Sequence, residues 1–278
     1  MSKLAIFAAT LAAPFPWRLR RLILQAICRF EIHKSAFVSR FALLAMARLE
    51  MGPNSYIGPL TVCKGLALLR LGEHAHIGPL NWITAFPLGT TSRHFELDPD
   101  RKSRLIVERH AAITSRHLID CTDEVEIGAF STFAGFRSQI LTHSIDLNES
   151  RQRCKPVRIG HHCFVGTGCV LLGGSSLPDC SVLGAHSLLT EHYETPGHLY
   201  GGVPAKLIKP IEAEAKYFSR DAGFVLQGLS WREASTLRSS RAIKSFEIQQ
   251  PCKRRTARPQ GSTQVEGTNR CGEPLRNA

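Results

Sequence analysis

No CxxC pair occurs among the nine cysteines of this 278-residue chain. With no ligands clustered at metal spacing, that leaves no zinc ribbon to read. An odd cysteine count also argues against a disulfide framework and for reduced, mostly structural thiols, as in a cytosolic protein. A bilayer-spanning run at the N-terminus is lacking as well. The apolar stretch Leu4 to Ala13 is too short, because a spanning helix needs about 20 residues. Pro14, Pro16 and a basic segment follow it instead of a clear cleavage site, so it reads as a retained segment and not a signal peptide. Acids are missing from residues 1–30, which carry Lys3, Arg18, Arg20, Arg21 and Arg29. Much of the remaining net charge of +12 lies in residues 251–278. The body between the two ends is nearly balanced, which excludes a nucleic-acid-binding face on the fold itself.

What is present is a period of six. Ile159, Val165, Leu171, Leu177, Leu183 and Leu189 stand at unbroken spacing. Helices repeat every 3.6 residues and flat strands every 2, so neither sustains such a period. A β-solenoid with flat faces does. Small residues keep step four positions later, at Cys163, Cys169, Ser175, Ser181 and Ser187. Gly160, Gly166 and Gly184 directly follow an aliphatic residue, where a tight corner favours a residue without Cβ.

The period divides the chain. Residues 1–30 form an N-terminal segment whose part 17–30 reads as an amphipathic helix. Its apolar stripe is Leu19, Leu22, Ile23, Ala26, Ile27 and Phe30, and its polar stripe is Arg18, Arg21, Gln25 and Arg29. The stripe is expected to pack on the first coil. Peripheral contact with an anionic membrane is the alternative that Trp17 and the arginines favour. Residues 31–209 are the solenoid, interrupted by an extruded loop at 86–104 and by a second break at 144–156. Loops of such length inside a compact domain are usually functional. Residues 210–235 have helical spacing through Ala215, Phe218, Phe224 and Leu226. Residues 236–278 are basic and poor in aliphatics, and read as a disordered tail.

A solenoid has no chemistry of its own, so function rests on a site. The candidate is ILTHSID at 140–146, where His143 ends a coil just before a break in the period. Imidazole is the side chain suited to taking a hydroxyl proton near neutral pH. The acids Asp120, Asp123, Glu124 and Glu126 read as a solvated edge beside Arg116.

The succession ILTHSID, KPVRIGHHCFVGTGCVLLGG, SVLGAHSLLT and GGVPAKLI resembles the hexapeptide-repeat acyltransferases over about residues 50–210. That family includes galactoside, maltose, nodulation-factor and serine acetyltransferases. The run ITSRHLIDCTDEVEIG most resembles members acting on exopolysaccharide or lipopolysaccharide. The resemblance implies a left-handed parallel β-helix, an all-β fold to which the spacing adds the N- and C-terminal helices. It also implies a homotrimer with active sites in clefts between subunits.

By resemblance, His143 is the general base that deprotonates an acceptor hydroxyl for attack on acetyl-CoA, and Thr167 assists at the oxyanion. Gly166, Ala185, Thr190, Lys206 and Lys209 are CoA contacts, although Glu191 stands where the family often has lysine. Ser115 and Asp146 are acceptor-side candidates, Asp146 alternatively orienting His143. No metal is implied. The expected activity is O-acetylation of a saccharide in the cytoplasm, with the inner face of the membrane as the alternative site of work. Serine or another small metabolite is an alternative acceptor, and a silent scaffold is the alternative to an enzyme. A γ-type carbonic anhydrase would need two histidines about five apart on one strand after His143, and no such pair follows it.

Overall fold

The computed structural model describes residues 7, 11, 12, 14–90, 93–212 and 214–223. Residues 1–231 belong to one compact unit. The second unit, 232–278, lies outside the described residues, and so does the tail expected at 236–278. The described chain is almost entirely β: a parallel β-helix whose short strands stack into three sheets. The first sheet begins at Glu31–Ile32 and ends at Ser176–Leu177. The second runs from Phe37–Val38 through Val182–Leu183 to a terminal antiparallel pair, His198–Gly202 with Ala205–Pro210. The third runs from Leu43–Ala45 to Leu188–Leu189.

Strand pairing puts like positions on top of one another, so each inward residue sits over its counterpart one coil away. Ile113, Phe133, Val165 and Leu183 form one such column, and Ile119, Ile140, Leu171 and Leu189 another. All are fully buried. The six aliphatics at spacing six all lie in this core, and Cys163, Cys169, Ser175, Ser181 and Ser187 are buried beside them. The period thus reads out a core that is one column per face, each burial stabilising by about 1.5–3 kcal/mol.

The corners use two devices. Gly160 allows close stacking: a Cβ there would lie 2.7 Å from the Asp179 nitrogen of the next coil. The tight turn itself falls on non-glycine residues with left-handed backbone. Asn54, His74, His110, Phe130, His162 and Cys180 hold it between first and second sheets, at φ of 53–60°. Phe41, Leu60, Leu80, Arg116, Arg137 and His186 hold it between second and third, at φ of 56–62°.

Helix α1 (Trp17–Cys28) closes the open end of the first coil, but not with the face expected. Its buried residues are Arg20, Leu24 and Cys28. The first coil has no coil beneath it, so its carbonyls need donors, and α1 provides them. Arg20 donates to the Ser39 and Ala42 carbonyls at 2.6 and 2.7 Å. Trp17 donates to Ala36, Arg21 to Lys34 and Gln25 to Ile32. Satisfying buried carbonyls outweighs hiding the apolar stripe: Leu19, Leu22, Ala26 and Ile27 turn outward, Ile23 is half-buried, and only Phe30, just beyond the helix, is buried.

At the other end, helical spacing is expected over 210–235. Pro210 ends the strand Ala205–Pro210, and the described residues from there to 223 make turns and bends. Side-chain bonds hold this stretch against the solenoid wall: Tyr217 donates to the Cys163 carbonyl at 3.0 Å, and Arg220 to that of Phe130. Such pinning at successive points competes with a regular helix. Residues 224–235 lie outside the described residues.

Two excursions leave the coil at the same corner, between third-sheet and first-sheet strands. Residues 85–103 lie between Trp82–Thr84 and Arg104–Val107. Two coils on, His143–Asp146 pairs antiparallel with Arg151–Cys154 in a hairpin.

Candidate active site

The strand Leu118–Asp120 lies one coil below Gln139–Leu141, with Asp120 in register with Leu141. His143, two residues beyond Leu141, therefore stands over the corner that follows Asp120. Its Nδ1 is 2.8 Å from Asp120 Oδ2. The same oxygen accepts from the Thr142 amide at 3.0 Å and the Thr142 hydroxyl at 2.6 Å. Oδ1 accepts from the Thr122 hydroxyl at 2.7 Å and, more weakly, the Thr122 amide at 3.3 Å. Both threonines are buried and held in turn: the Phe86 amide donates to Thr122 Oγ1 and the Asp123 amide to Thr142 Oγ1.

Every neighbour of the Asp120 carboxyl is a donor. Burial alone would raise its pKa, but the hydrogen bonds from His143, Thr142 and Thr122 outweigh it and hold the group below the usual carboxylate range. An ionised carboxylate only accepts, so the His143 proton sits on Nδ1 and Nε2 keeps its lone pair. The bond to Asp120 raises the His143 pKa, against a smaller opposing effect of burial. The His143 side chain is 41% exposed while that of Asp120 is 9% exposed. The arrangement is a buried anion orienting an accessible base.

The first excursion closes over this pair. The Phe95 ring, buried, meets the His143 ring edge-on at 5.9 Å. Arg101 ties the loop down by donating to the carbonyls of Phe86 at 2.7 Å, Pro87 at 2.9 Å and Thr122 at 3.2 Å, and lies over the Phe86 and Phe95 rings. A cavity of about 390 Å³ opens among Phe86, Arg93, Phe95, Asp98 and Arg101.

Asp120 and Phe95 escape the sequence reading. Asp120 reads as part of a solvated acidic edge, yet it is the buried member of the pair. Its signal is coil register, which sets it one coil below Leu141, two residues before His143.

Asp146 does not take that role. It pairs with Arg153 at 2.8 Å and caps its own turn through the Asn148 and Glu149 amides. Standing three residues from His143 on one strand, the two side chains point to opposite faces.

The remaining candidates divide between edges. Ser115, Gly166, Thr167 and Ala185 lie at corners between second and third sheets, at the far end of the third-sheet strands from His143. Thr167 Oγ1 donates to the Phe136 carbonyl at 2.8 Å and accepts from its amide at 3.1 Å. Thr190 follows Leu189, which pairs with Leu171, and so lies on the His143 edge two coils on. Lys206 and Lys209 are exposed on the terminal strand. His117, beside Ser115, is buried; desolvation pushes it down to about 4, and the Ser138 amide donates to its Nδ1. It is a neutral core histidine. Among the described residues, no group of three or more His, Cys, Asp or Glu side chains is arranged to hold a metal ion.

No protein-family model matches the chain, and no curated protein does. Solved structures do resemble it. A mutant of AntD, an N-acyltransferase from Bacillus cereus in complex with dTDP-4-amino-4,6-dideoxyglucose and coenzyme A, is 12% identical. It aligns over 68% of this chain and 88% of its own, with a TM-score of 0.47. The hexapeptide-repeat-containing acetyltransferase VCA0836 from Vibrio cholerae is 20% identical over 51% of this chain and 73% of its own, with a TM-score of 0.41. The polysialic acid O-acetyltransferase OatWY is 14% identical over 74% and 92%, with a TM-score of 0.41.

Proposed function

We propose that this protein is an acyltransferase that moves the acetyl group of acetyl-CoA to a hydroxyl of a saccharide, with His143 as general base. The observation that carries the reading is the His143–Asp120 pair, a buried carboxylate that fixes the tautomer of an exposed imidazole. A scaffold has no use for such an arrangement, whereas hydroxyl activation needs it. His143 Nε2 takes the acceptor proton as the oxygen attacks the thioester carbonyl. The tetrahedral intermediate collapses, the carbon–sulfur bond breaks, and the departing CoA sulfur recovers the proton from His143. Asp120 stabilises the imidazolium in between.

The CoA substrate fits the other edge. Gly166 is stacked so closely on Ala185 that a Cβ would lie 2.7 Å from the Ala185 nitrogen. The exposed Ala185 leaves a low strip on which a pantetheine arm can lie, and Lys206 and Lys209 offer cations for its phosphates. Thr167 serves the oxyanion once its hydroxyl turns from the Phe136 carbonyl.

Gly166, Thr167 and Ala185 stand at the opposite end of the third-sheet strands from His143. One chain therefore holds the base and a neighbouring chain the thioester, as in a homotrimer with clefts between subunits. Ser115 then faces the cleft from the CoA-side corner, while the loop carrying Phe95 and the hairpin carrying Asp146 wall the acceptor side. Exopolysaccharide precursors are the acceptor class in view, and the cytoplasm is the compartment that suits the reduced thiols of Cys63, Cys121, Cys154, Cys163, Cys169 and Cys180.

The test is transfer from acetyl-CoA to saccharide acceptors by the wild type and by His143→Ala. The variant is expected to lose about 10²- to 10⁴-fold in kcat, the range for a positioned base, while binding acetyl-CoA like the wild type. Full activity in the variant overturns the assignment.

A further inference from the structure

Helix α1 presents its apolar stripe to solvent. Leu19, Leu22 and Ile27 are 47%, 59% and 48% exposed, and Phe15 just before the helix is exposed too. The opposite side is committed to the first coil through Arg20, Leu24 and Cys28, so the helix cannot roll to hide the stripe without releasing the carbonyls it caps. The surroundings are of one sign. Arg18, Arg29, Lys34 and Arg40 are exposed around the stripe. Residues 1–42 contain a single acid, Glu31, and Arg48 pairs with it at 3.1 Å.

We propose that this end cap is a docking surface for an anionic lipid bilayer, with the stripe entering the acyl boundary and the surrounding cations meeting the headgroups. A helix with a large exposed apolar face and a basic rim lies in a membrane interface. An anionic leaflet attracts each nearby cation. The charge also decides against a second copy of this chain, because a symmetric dimer through this face sets Arg18, Arg29 and Lys34 against their own images. No described helix is long and apolar enough to cross a membrane, so the contact is peripheral. The surface is separate from His143 and independent of the reaction assigned above.

The test is co-sedimentation of the full chain with phosphatidylcholine vesicles made with and without phosphatidylglycerol. Binding is expected to be at least about tenfold tighter to the anionic vesicles and to weaken as salt rises. The double variant Leu22→Ser/Ile27→Ser is expected to lose about tenfold with unchanged circular dichroism and unchanged acetyl-CoA binding. Arg18→Glu/Arg29→Glu is expected to abolish the preference for anionic lipid. Three outcomes overturn the proposal: no vesicle binding by the wild type, equal binding to neutral and anionic vesicles, or undiminished binding by the double variant. A fall in oligomer mass in Leu22→Ser/Ile27→Ser, with vesicle binding absent throughout, assigns the stripe to a copy of the chain instead.

Discussion

In the reaction proposed above Asp120 acts through His143, and the pH dependence of transfer reports the connection. The proposed base is active only when neutral, and its pKa is raised by Asp120. Activity therefore rises with pH through a midpoint above the ordinary 6.5. In Asp120→Asn the midpoint is expected to move to lower pH, because the anion that favoured imidazolium is gone. The plateau is expected to fall by on the order of 10²-fold, since an amide facing Nδ1 can also donate and so favours the wrong tautomer. A pH–rate profile of both proteins gives the two shifts together, and an unmoved acid limb would show that Asp120 does no more than fill space. His143 was legible from its residue type and its place before a break in the period. Asp120 was not, because an acid beside Asp123, Glu124 and Glu126 carries no mark of burial. Its partners Thr142 and His143 come from the following coil, and only strand register brings them to it.

At the scale of the element, α1 is held by polar groups more than by its apolar pattern. Arg20 is 1% exposed, and burial lowers its pKa to about 10. Without it the Ser39 carbonyl keeps only the Ala42 amide at 3.5 Å, and the Ala42 carbonyl has no other donor among the described residues. Arg20→Met keeps the apolar stem and strands the Ala42 carbonyl, for a loss of about 1–3 kcal/mol, the range for one orphaned buried group. Urea denaturation should show a lower midpoint, and a midpoint equal to wild type would mean that water reaches the end of the coil. The helix was legible in the sequence, since its periodicity is strong. Which face docks was not, because amphipathic pattern assumes an apolar target, whereas the open end of a parallel solenoid presents a ring of carbonyls.

The whole molecule follows from one column per face. Six in-phase aliphatics were enough to read the solenoid, because each coil repeats the environment of the last. The outer side of the third sheet is less ordinary: Trp82 is 53% and Leu118 is 41% exposed, and Phe41, Leu60 and Leu80 stand exposed along the adjoining edge. Apolar surface of this kind suits the contact between chains proposed above, and it lies between the His143 edge and the Thr167 edge. For the proposed trimer, Trp82→Asp/Leu118→Asp is expected to reduce the sedimenting mass from three times the 30.8 kDa chain to one, and to abolish transfer with it. A wild type that already sediments as a single chain would remove the shared cleft.

The two excursions break nothing. Thr84 still pairs with Asp120 and Leu71 with Val107 on either side of the loop at 85–103, and Ile127 with Ile159 across the hairpin. The frame resumes in register as though the inserted chain were absent, and lengthening such an insertion costs only about 0.6 kcal/mol for each doubling. On the function proposed above, stability and acceptor preference are thereby housed in separate stretches of polypeptide. In a lineage built on this plan, the walls around His143 are free to be exchanged, one acceptor for another, while the columns beneath keep the same shape.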